Sequence, residues 1–315
     1  MTSPKPASRP GTKGRSAPQR TTPAPARPSK AASARARLAA EQARQARRRR
    51  RLIMAIVPIA VVLVAVGALV VVKLTGVGSR APVATGPAES GVISQVTGVP
   101  AGVLDQVGTG TIRTPPAPIS APALTADGKP RVLYVGAEYC PYCAAERWAM
   151  VVALSRFGTF SGLGQTASSA DDVFPSTPTL SFHGSSYTSS TVSFTGVETE
   201  DGKGAPLDTL SAADQQTFST YASPPYVPAS SKGAIPFVNI GGRYLISGAS
   251  YDAQVLQGKT HAQVAAALSD PSSDIAKAVD GSANVITAAI CATTKNAPTA
   301  VCTSAGVQAG AKALS

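Results

Sequence analysis

Histidine and cysteine are both scarce in this chain, which has two histidines and four cysteines among its 315 residues. A structural zinc site usually takes four ligands, from two close cysteine pairs or from cysteines and histidines together. The two histidines, His183 and His261, fit ordinary strand and helix positions, and Cys291 and Cys302 lie too far apart in sequence for a zinc knuckle. We therefore predict neither a metal site nor a bound cofactor.

Acidic residues are nearly absent from the first segment. Residues 1–51 hold 15 lysines and arginines but one acidic residue, Glu41, in a chain of formal charge +12. This segment contributes 15 − 1 = +14, so the remaining residues sum to 12 − 14 = −2. Seven prolines fall within the first 30 residues and no apolar run could build a core, which predicts a disordered tail. A nucleic-acid partner is unsupported for the rest of the chain, and for the tail we favour a solvated, orienting charge run.

Charge is absent from residues 52–72, all of which are apolar, glycine or proline. At about 1.5 Å per residue, a helix of this length spans about 31 Å, enough to cross a hydrocarbon core of about 30 Å. Five arginines precede the run at residues 47–51, whereas Lys73 and Arg80 follow it. The positive-inside rule then predicts a single-pass plasma-membrane protein with a cytoplasmic N-terminus. A cleaved signal peptide is the alternative, although its apolar core is usually only about 7–15 residues long.

The segment after the apolar run predicts a tether and then a domain outside the cytoplasm. Residues 73–89 are rich in Gly, Ala, Pro and Ser and predict a flexible linker, which leaves residues 90–315 for the domain. All four cysteines lie in that last part, and an even number outside the cytoplasm suggests two pairs. The simplest connectivity joins the cysteines that are neighbours in sequence.

The most informative motif is Cys-Pro-Tyr-Cys at residues 140–143. It stands between a predicted strand at residues 131–135 and a predicted helix that begins at Ala144 and extends to about Phe157. The free N–H groups and the dipole of a helix N-terminus favour a thiolate at the first sulfur. We therefore predict that the pKa of Cys140 is lowered and that its thiolate attacks disulfides. The alternatives are a structural bridge or half of a zinc site.

Periodicity and turn residues predict the remaining elements. Residues 161–176 and 198–205 are expected to be loops, and Gly241-Gly242 to join two strands of a hairpin. Pro236 opens a β-rich run, which favours a cis peptide bond after Ile235. Further strands and helices are predicted at residues 179–183, 191–197, 210–221, 260–268, 274–279 and 283–292.

The order of these elements resembles the thioredoxin fold: strand, Cys-x-x-Cys, helix, strands, helical insertion, Ile-Pro, hairpin and helix. The sequence from Gly136 to Trp148, together with Ile-Pro-Phe at residues 235–237 and Ala-Ala-Ile-Cys at residues 288–291, resembles one group more closely. That group is a family of membrane-anchored, thioredoxin-like proteins of unknown function from actinobacteria and archaea. The resemblance covers roughly residues 90–305. It implies an α/β, thioredoxin-like fold with a helical insertion before the cis-proline strand.

The resemblance to thioredoxin-like enzymes also implies roles for individual residues. Cys140 would attack and Cys143 would resolve the mixed disulfide. The substrate groove would be lined by Pro141, Tyr142, Ile235 and Pro236.

One position departs from the pattern of the thioredoxins. They bury an acidic residue six positions before the first cysteine, where this chain has Tyr134. That difference favours an oxidant or isomerase over a reductase. Glu138, Glu146 and Arg147, which flank the motif, are predicted to form surface ion pairs rather than to take part in chemistry.

Together these features predict a membrane-tethered, extracytoplasmic thiol–disulfide oxidoreductase. Its partners would be cysteine-containing exported proteins or a membrane redox protein. The alternative is a non-catalytic thioredoxin-like module for binding or envelope assembly, with both cysteine pairs structural. For Cys291 and Cys302 a structural disulfide is expected, and a relay pair that passes electrons to Cys140 is the alternative.

Overall fold

A computed structural model of the chain describes residues 85–314, all of which belong to one compact unit. The helices are α1 (Ser90–Thr97), α2 (Ala101–Val107), α3 (Pro141–Ser155), α4 (Ala212–Tyr221), α5 (His261–Ala267), α6 (Asp274–Thr293), α7 (Thr299–Cys302) and α8 (Ala305–Lys312). The strands are β1 (Gly86–Pro87), β2 (Ala117–Pro118), β3 (Thr125–Ala126), β4 (Lys129–Gly136), β5 (Gly158–Ser161), β6 (Gly164–Ala167), β7 (Pro178–Ser181), β8 (Ser186–Ser189), β9 (Ser193–Glu198), β10 (Phe237–Ile240) and β11 (Tyr244–Ser247). The fold is therefore mixed α/β.

Strand β4 forms the centre of the largest sheet. It pairs in parallel with β9 along one edge and antiparallel with β10 along the other, and β11 and β2 continue the sheet beyond β10. The short β3 pairs with the start of β4. Two smaller sheets contain β1–β6–β7 and β5–β8. Val135, near the carboxyl end of β4, pairs with Val197 of β9 on one side and with Phe237 of β10 on the other. These three residues therefore lie side by side in the sheet.

The apolar run of β4 is covered on both faces, because its alternating side chains enter two different clusters. Val132 and Tyr134 face the larger cluster, which contains α3 and α6. Leu133 and Val135 face a smaller cluster, against which α4 packs. Packing on both faces therefore fixes the end of β4 just before the Cys-Pro-Tyr-Cys segment.

Helices α3 and α6 pack together in the larger cluster and are buried over most of their circumference. Among residues 85–314, α6 is the helix that is long and apolar enough to cross a membrane, yet 89% of its most apolar window is buried inside the domain. This degree of burial fits a core helix. The span predicted at residues 52–72 and the tail before it lie outside the described residues.

Most predicted elements are confirmed within a few residues. Helix α4 is capped by the Ser211 hydroxyl, which accepts the N–H of Asp214 at 3.1 Å, and α5 begins with a capping box of Thr260 and Gln263. The hairpin β10–β11 is also confirmed. Its two glycines have positive φ angles of 62° and 75°, although its loop includes Arg243 and so has three residues.

Two predictions about elements were wrong. Residues 161–176 were expected to be a loop but contain β6, whose pairing with β7 orders this polar stretch. The two helices expected at residues 274–279 and 283–292 are one helix, α6. Gly281 does not interrupt it because the backbone of Thr109 and Gly110 packs where a side chain would otherwise stand. Close packing has therefore overridden the weak helix propensity of glycine.

Candidate functional site

Cys140 is the N-cap residue of α3. Its backbone is extended, and its Sγ accepts the backbone N–H of Cys143 at 3.2 Å, as a serine or aspartate would at this position. Pro141 occupies the first helical position, where its missing N–H leaves no donor unsatisfied. The side chain of Cys140 is 6% exposed and its thiol is free. The strand–turn–helix geometry predicted for the motif is therefore present.

The surroundings of Cys140 favour its thiolate. Hydrogen bonding with the Cys143 side chain lowers the pKa of Cys140 most, and the backbone N–H groups of Cys143 and Tyr142 and the charge of Arg147 lower it further. Burial acts in the opposite direction, but the net pKa lies below that of an ordinary thiol. Cys140 thus meets the electrostatic part of the requirement for a nucleophilic cysteine, since its thiolate is favoured.

Cys143 differs from Cys140 in both exposure and acidity. It is fully buried, and its thiol is also free. Burial, followed by the hydrogen bond to Cys140 and the negative charge there, raises the pKa of Cys143 well above its ordinary value, although Arg147 and the backbone of Ala137 lower it in part. The two sulfurs therefore form an unequal pair, with one acidic thiol near the surface and one protonated thiol beneath it.

The Ile235–Pro236 segment, 95 residues further along the chain, lies against Cys140. The peptide bond is cis, as predicted, and the Cys140 Sγ lies 3.8 Å from the Ile235 carbonyl oxygen. Strand β10 brings the segment there, because Phe237 pairs with Val135 at the end of β4.

Tyr142 lies on the exposed side of the motif. Its side chain is 42% exposed, and the ring stands edge-on to Phe174, with 5.9 Å between ring centroids. Pro141, in contrast, is buried. The structure thus brings Cys140, Tyr142 and Ile235 to one part of the surface region around the motif.

Arg147 and Glu198 form a buried ion pair. Both side chains are fully buried, and Arg147 binds the Glu198 carboxylate through Nε at 2.7 Å and Nη2 at 2.6 Å. The prediction of surface ion pairs for Arg147 and Glu146 was therefore wrong, since α3 is covered on nearly every side. Glu198 lies 51 residues after Arg147, at the end of β9, and no local pattern in the sequence links the two.

Glu146, the neighbour of Arg147, is also fully buried, but its hydrogen-bond partner is a serine rather than an arginine. Its carboxylate accepts the backbone N–H of Ser250 at 2.8 Å and the Ser250 hydroxyl at 3.0 Å. Burial raises the pKa of Glu146 to about 7. Asp280 on α6 is buried as well, and neither of its carboxylate oxygens has a hydrogen-bond partner among the described residues. Burial raises the pKa of Asp280 to about 8.

Tyr134 occupies the position where thioredoxins bury an acid. It is fully buried on β4, its ring centroid lies 5.9 Å from the Arg147 guanidinium carbon, and within residues 85–314 its hydroxyl has no partner. Burial raises the pKa of Tyr134 well above its ordinary value, so the hydroxyl keeps its proton. Tyr134 can therefore donate a hydrogen bond but cannot act as a base.

Glu138, the third residue predicted to lie in a surface ion pair, is half-buried. Its carboxylate accepts the Ser181 hydroxyl at 2.5 Å and the Thr166 hydroxyl at 3.2 Å. The partners of this carboxylate are hydroxyl groups, so the predicted surface ion pair was wrong here too.

A cavity of about 750 Å³ lies beside the motif. Tyr139, which directly precedes Cys140, forms part of its wall, together with loops that bring Asp171, Asp172 and Glu200 and one lysine, Lys203. The charged residues that line the cavity are therefore predominantly acidic.

The histidines and the second cysteine pair lie in the framework around these groups. Nε2 of His261 lies 2.9 Å from the carbonyl oxygens of both Thr166 and Thr179, and His183 contacts Asp208 at 2.7 Å. Cys291 and Cys302 form a disulfide that connects the end of α6 to α7. In the part of the chain that the structure describes, no cluster of three or more His, Cys, Asp or Glu residues could hold a metal ion.

Comparison with known proteins gave one family. The model of a domain of unknown function, DUF929, matches residues 116–292, which include the motif, the Ile-Pro segment and Cys291. No curated protein and no solved structure matched. Since the matched region is more than half of the chain, the protein belongs to the DUF929 family.

Proposed function

We propose that this protein is a thiol–disulfide oxidoreductase with a thioredoxin-like fold. The observation that carries the proposal is the inequality of the two thiols at the start of α3. Cys140 caps the helix and has a lowered pKa, whereas Cys143 is sealed beneath it with a raised pKa. Such a pair suits an attacking and a resolving cysteine.

The sheet supports the fold assignment. A central strand runs into the Cys-x-x-Cys helix, with a parallel neighbour on one side and an antiparallel hairpin on the other. The hairpin follows the Ile-Pro segment, and the Ile235 carbonyl lies beside Cys140. Ile235 and the exposed Tyr142 would then border the substrate groove, whereas Pro141 and Pro236 are buried.

The proposed reaction begins with the oxidised Cys140–Cys143 pair. A substrate thiolate attacks Cys140 Sγ, the bond between the two protein sulfurs breaks, and Cys143 leaves with the electron pair and takes up a proton. A second substrate thiolate then attacks the substrate sulfur of the mixed disulfide, and Cys140 leaves as a thiolate. Two electrons pass from the substrate to the protein, one substrate proton goes to Cys143, and the other goes to solvent.

The direction of electron flow follows from which form of the pair is stabilised. A stable thiolate on the attacking cysteine favours the dithiol form, and this makes the oxidised pair a stronger oxidant. The lowered pKa of Cys140 therefore favours an oxidase or isomerase over a reductase. Renewal of the oxidised pair requires a disulfide-bearing partner, for which a membrane redox protein is our candidate.

The substrates that we propose are cysteine-containing exported proteins, and the site of action is the outer face of the plasma membrane. The apolar run at residues 52–72, with five arginines before it, supports an anchor with this orientation. The Cys291–Cys302 disulfide is compatible with an oxidising compartment.

The test is to trap substrates with the 315-residue chain in its own membrane. A Cys143→Ala variant is expected to accumulate mixed disulfides through Cys140, because its thiolate can still attack a substrate disulfide and no neighbouring thiol can then release the adduct. The Cys140→Ala/Cys143→Ala variant is the matched control. Diagonal gels, reducing in the second dimension, would show the adducts, and mass spectrometry would identify them. If the single variant yields no more adducts than the double variant, the oxidoreductase proposal fails.

A non-catalytic binding module is the second candidate, and the 6% exposure of Cys140 favours it. In that case the pair would be a structural element with no exchange chemistry. Incubation of the chain with reduced and oxidised glutathione separates the two candidates. An oxidoreductase pair reaches the same dithiol-to-disulfide ratio from both starting states, whereas a sealed pair stays as it was.

A further inference from the structure

The buried ion pair of Arg147 and Glu198 lies directly beneath the two cysteines. Arg147 is four residues after Cys143 on α3, so the two side chains share one face of the helix. The pair is fully buried, and a buried ion pair is weak evidence for stability because the cost of removing two charges from water can exceed their mutual attraction. Its position therefore suggests a role beyond packing.

The turn between β4 and Cys140 connects the guanidinium to the sulfurs. Arg147 Nη2 donates to the Ala137 carbonyl oxygen at 2.7 Å, and the backbone of Ala137 also hydrogen-bonds to the Cys143 thiol and lowers its pKa. The Arg147 charge lowers the pKa values of both Cys140 and Cys143. The guanidinium thus acts on both sulfurs from below, where water does not screen it.

Arg147 also retains a donor that the ion pair does not use. Its Nη1 has no hydrogen-bond partner anywhere in residues 85–314, and neither does the hydroxyl of Tyr134. The Tyr134 ring lies close to the guanidinium, at the 5.9 Å separation described above. Two buried donors without partners are therefore located on the side of the motif where Cys143 is sealed.

We propose that Arg147, held in place by Glu198, is a positioning residue that supplies an internal positive charge to the cysteine pair and stabilises its dithiol form against the disulfide. This inference rests on the proposed oxidoreductase function and adds the group that makes the pair oxidising. The charge acts when the bond between the sulfurs breaks and Cys143 leaves as a thiolate. Stabilisation of a leaving thiolate both speeds that step and favours the reduced product.

The test compares charge variants of the 315-residue chain in mild detergent. Arg147→Met/Glu198→Gln removes both charges together, so that no buried ion is left unpaired. Two quantities are measured: the pH profile of Cys140 alkylation and the equilibrium constant with glutathione. We expect the alkylation midpoint to rise. The constant should shift about tenfold toward the disulfide, equivalent to about 30 mV.

Two further variants separate charge from packing. Arg147→Lys keeps the positive charge and is expected to retain most of the wild-type constant. Glu198→Gln alone leaves the arginine without its counter-charge, so both quantities should move in the opposite direction. The matched control is Arg131→Met/Asp214→Asn, which removes a second largely buried arginine–carboxylate pair, with 2.8 Å between Nη2 and Oδ1, and should leave both quantities unchanged.

The outcomes distinguish this inference from the proposal beneath it. If the wild-type pair never equilibrates with glutathione, the oxidoreductase function fails and the inference fails with it. If the wild-type pair equilibrates but the folded double variant has the wild-type constant, or the Arg131 control shifts it equally, only the inference is overturned. If the double variant does not fold, Glu198→Gln provides the test. A shift of its equilibrium constant toward the disulfide, opposite to the expected direction, would overturn the inference.

Discussion

Glu146 and Arg147 are neighbours on α3, and both are fully buried, but Arg147 has an oppositely charged partner and Glu146 has only uncharged ones. Arg147 meets a carboxylate from β9. Burial alone would lower the pKa of Arg147, but this carboxylate helps to raise it well above its ordinary value, so the guanidinium stays charged. Burial raises the pKa of Glu198, and Arg147 lowers it only in part. Glu146 meets only the N–H and hydroxyl of Ser250, and burial raises its pKa to about 7. The nearby Asp280, on the helix packed against α3, has no partner within the described region, and its pKa is about 8.

This comparison shows that burial alone does not decide whether a group is ionised. On the Arg147 side an opposite charge offsets the loss of water around the guanidinium, and its positive charge becomes available to the cysteines. On the Glu146 side no cation compensates, so at neutral pH Asp280 is mostly protonated and Glu146 is about half protonated. One helix therefore has a permanently charged side at Arg147 and a side at Glu146 that titrates near neutrality, and three predictions test this difference.

The largest effect is expected when only one partner of the Arg147–Glu198 ion pair is removed. Arg147→Met leaves the Glu198 carboxylate buried without its partner, which should destabilise the domain by about 3–5 kcal/mol. The double variant Arg147→Met/Glu198→Gln should recover much of this loss. Urea unfolding of the wild type and both variants measures the effect. Equal losses in the single and double variants would contradict the view that the uncompensated charge is the cause.

An intermediate effect is expected at Asp280. Its folded-state pKa of about 8 exceeds the ordinary value near 4, so the folded protein binds the proton more tightly than the unfolded chain. Its contribution to stability is therefore complete below about pH 4 and is lost as the pH rises through about 8. Asp280→Asn should flatten this decline and raise the melting temperature at pH 8.

The control for this prediction is Asp274→Asn on the same helix. The Asp274 side chain is 93% exposed, so its replacement should leave the pH dependence of melting intact. If the wild-type melting temperature does not fall between pH 5 and pH 8, Asp280 is not held protonated by the fold.

The smallest effect is expected when Glu146, on the titrating side of α3, is replaced and the reactivity of Cys140 is measured. Glu146→Gln should leave the pH profile of Cys140 alkylation nearly unchanged, because the groups that lower the pKa of Cys140 are Cys143, Tyr142 and Arg147. The measurement is the rate of iodoacetamide labelling between pH 5 and pH 9, with peptide mapping to follow Cys140 alone. A midpoint shift as large as that of the Arg147→Met/Glu198→Gln variant would contradict the separation of the two sides.

The part of the site that depends on local sequence was predictable. The order strand, Cys-Pro-Tyr-Cys, helix places Cys140 at a helix N-terminus. The cis bond before Pro236 and the hairpin at Gly241-Gly242 are likewise indicated by the residues that form them. These features depend on backbone geometry within a few residues, which is why periodicity and turn chemistry find them.

The electrostatic part of the site was not predictable in the same way. Arg147 and Glu198 are far apart in sequence, and each follows the ordinary rule that charged residues lie at the surface. Their burial depends on α3 being covered by the sheet and by α6 together, which is a property of the tertiary packing. Strand β8 was missed for a related reason, since its polar residues pair with β5 without an apolar pattern.

If the domain is exported, as we propose, the composition of α6 affects its passage across the membrane. Its 20 residues resemble a membrane span closely enough that an export channel could release them sideways into the lipid. In the unfolded chain Asp280 has an ordinary acidity and is ionised at neutral pH, and an aspartate within such a segment opposes insertion by about 2.5–3.5 kcal/mol. The same carboxyl group that folding must protonate would thus keep the helix moving with the translocating chain.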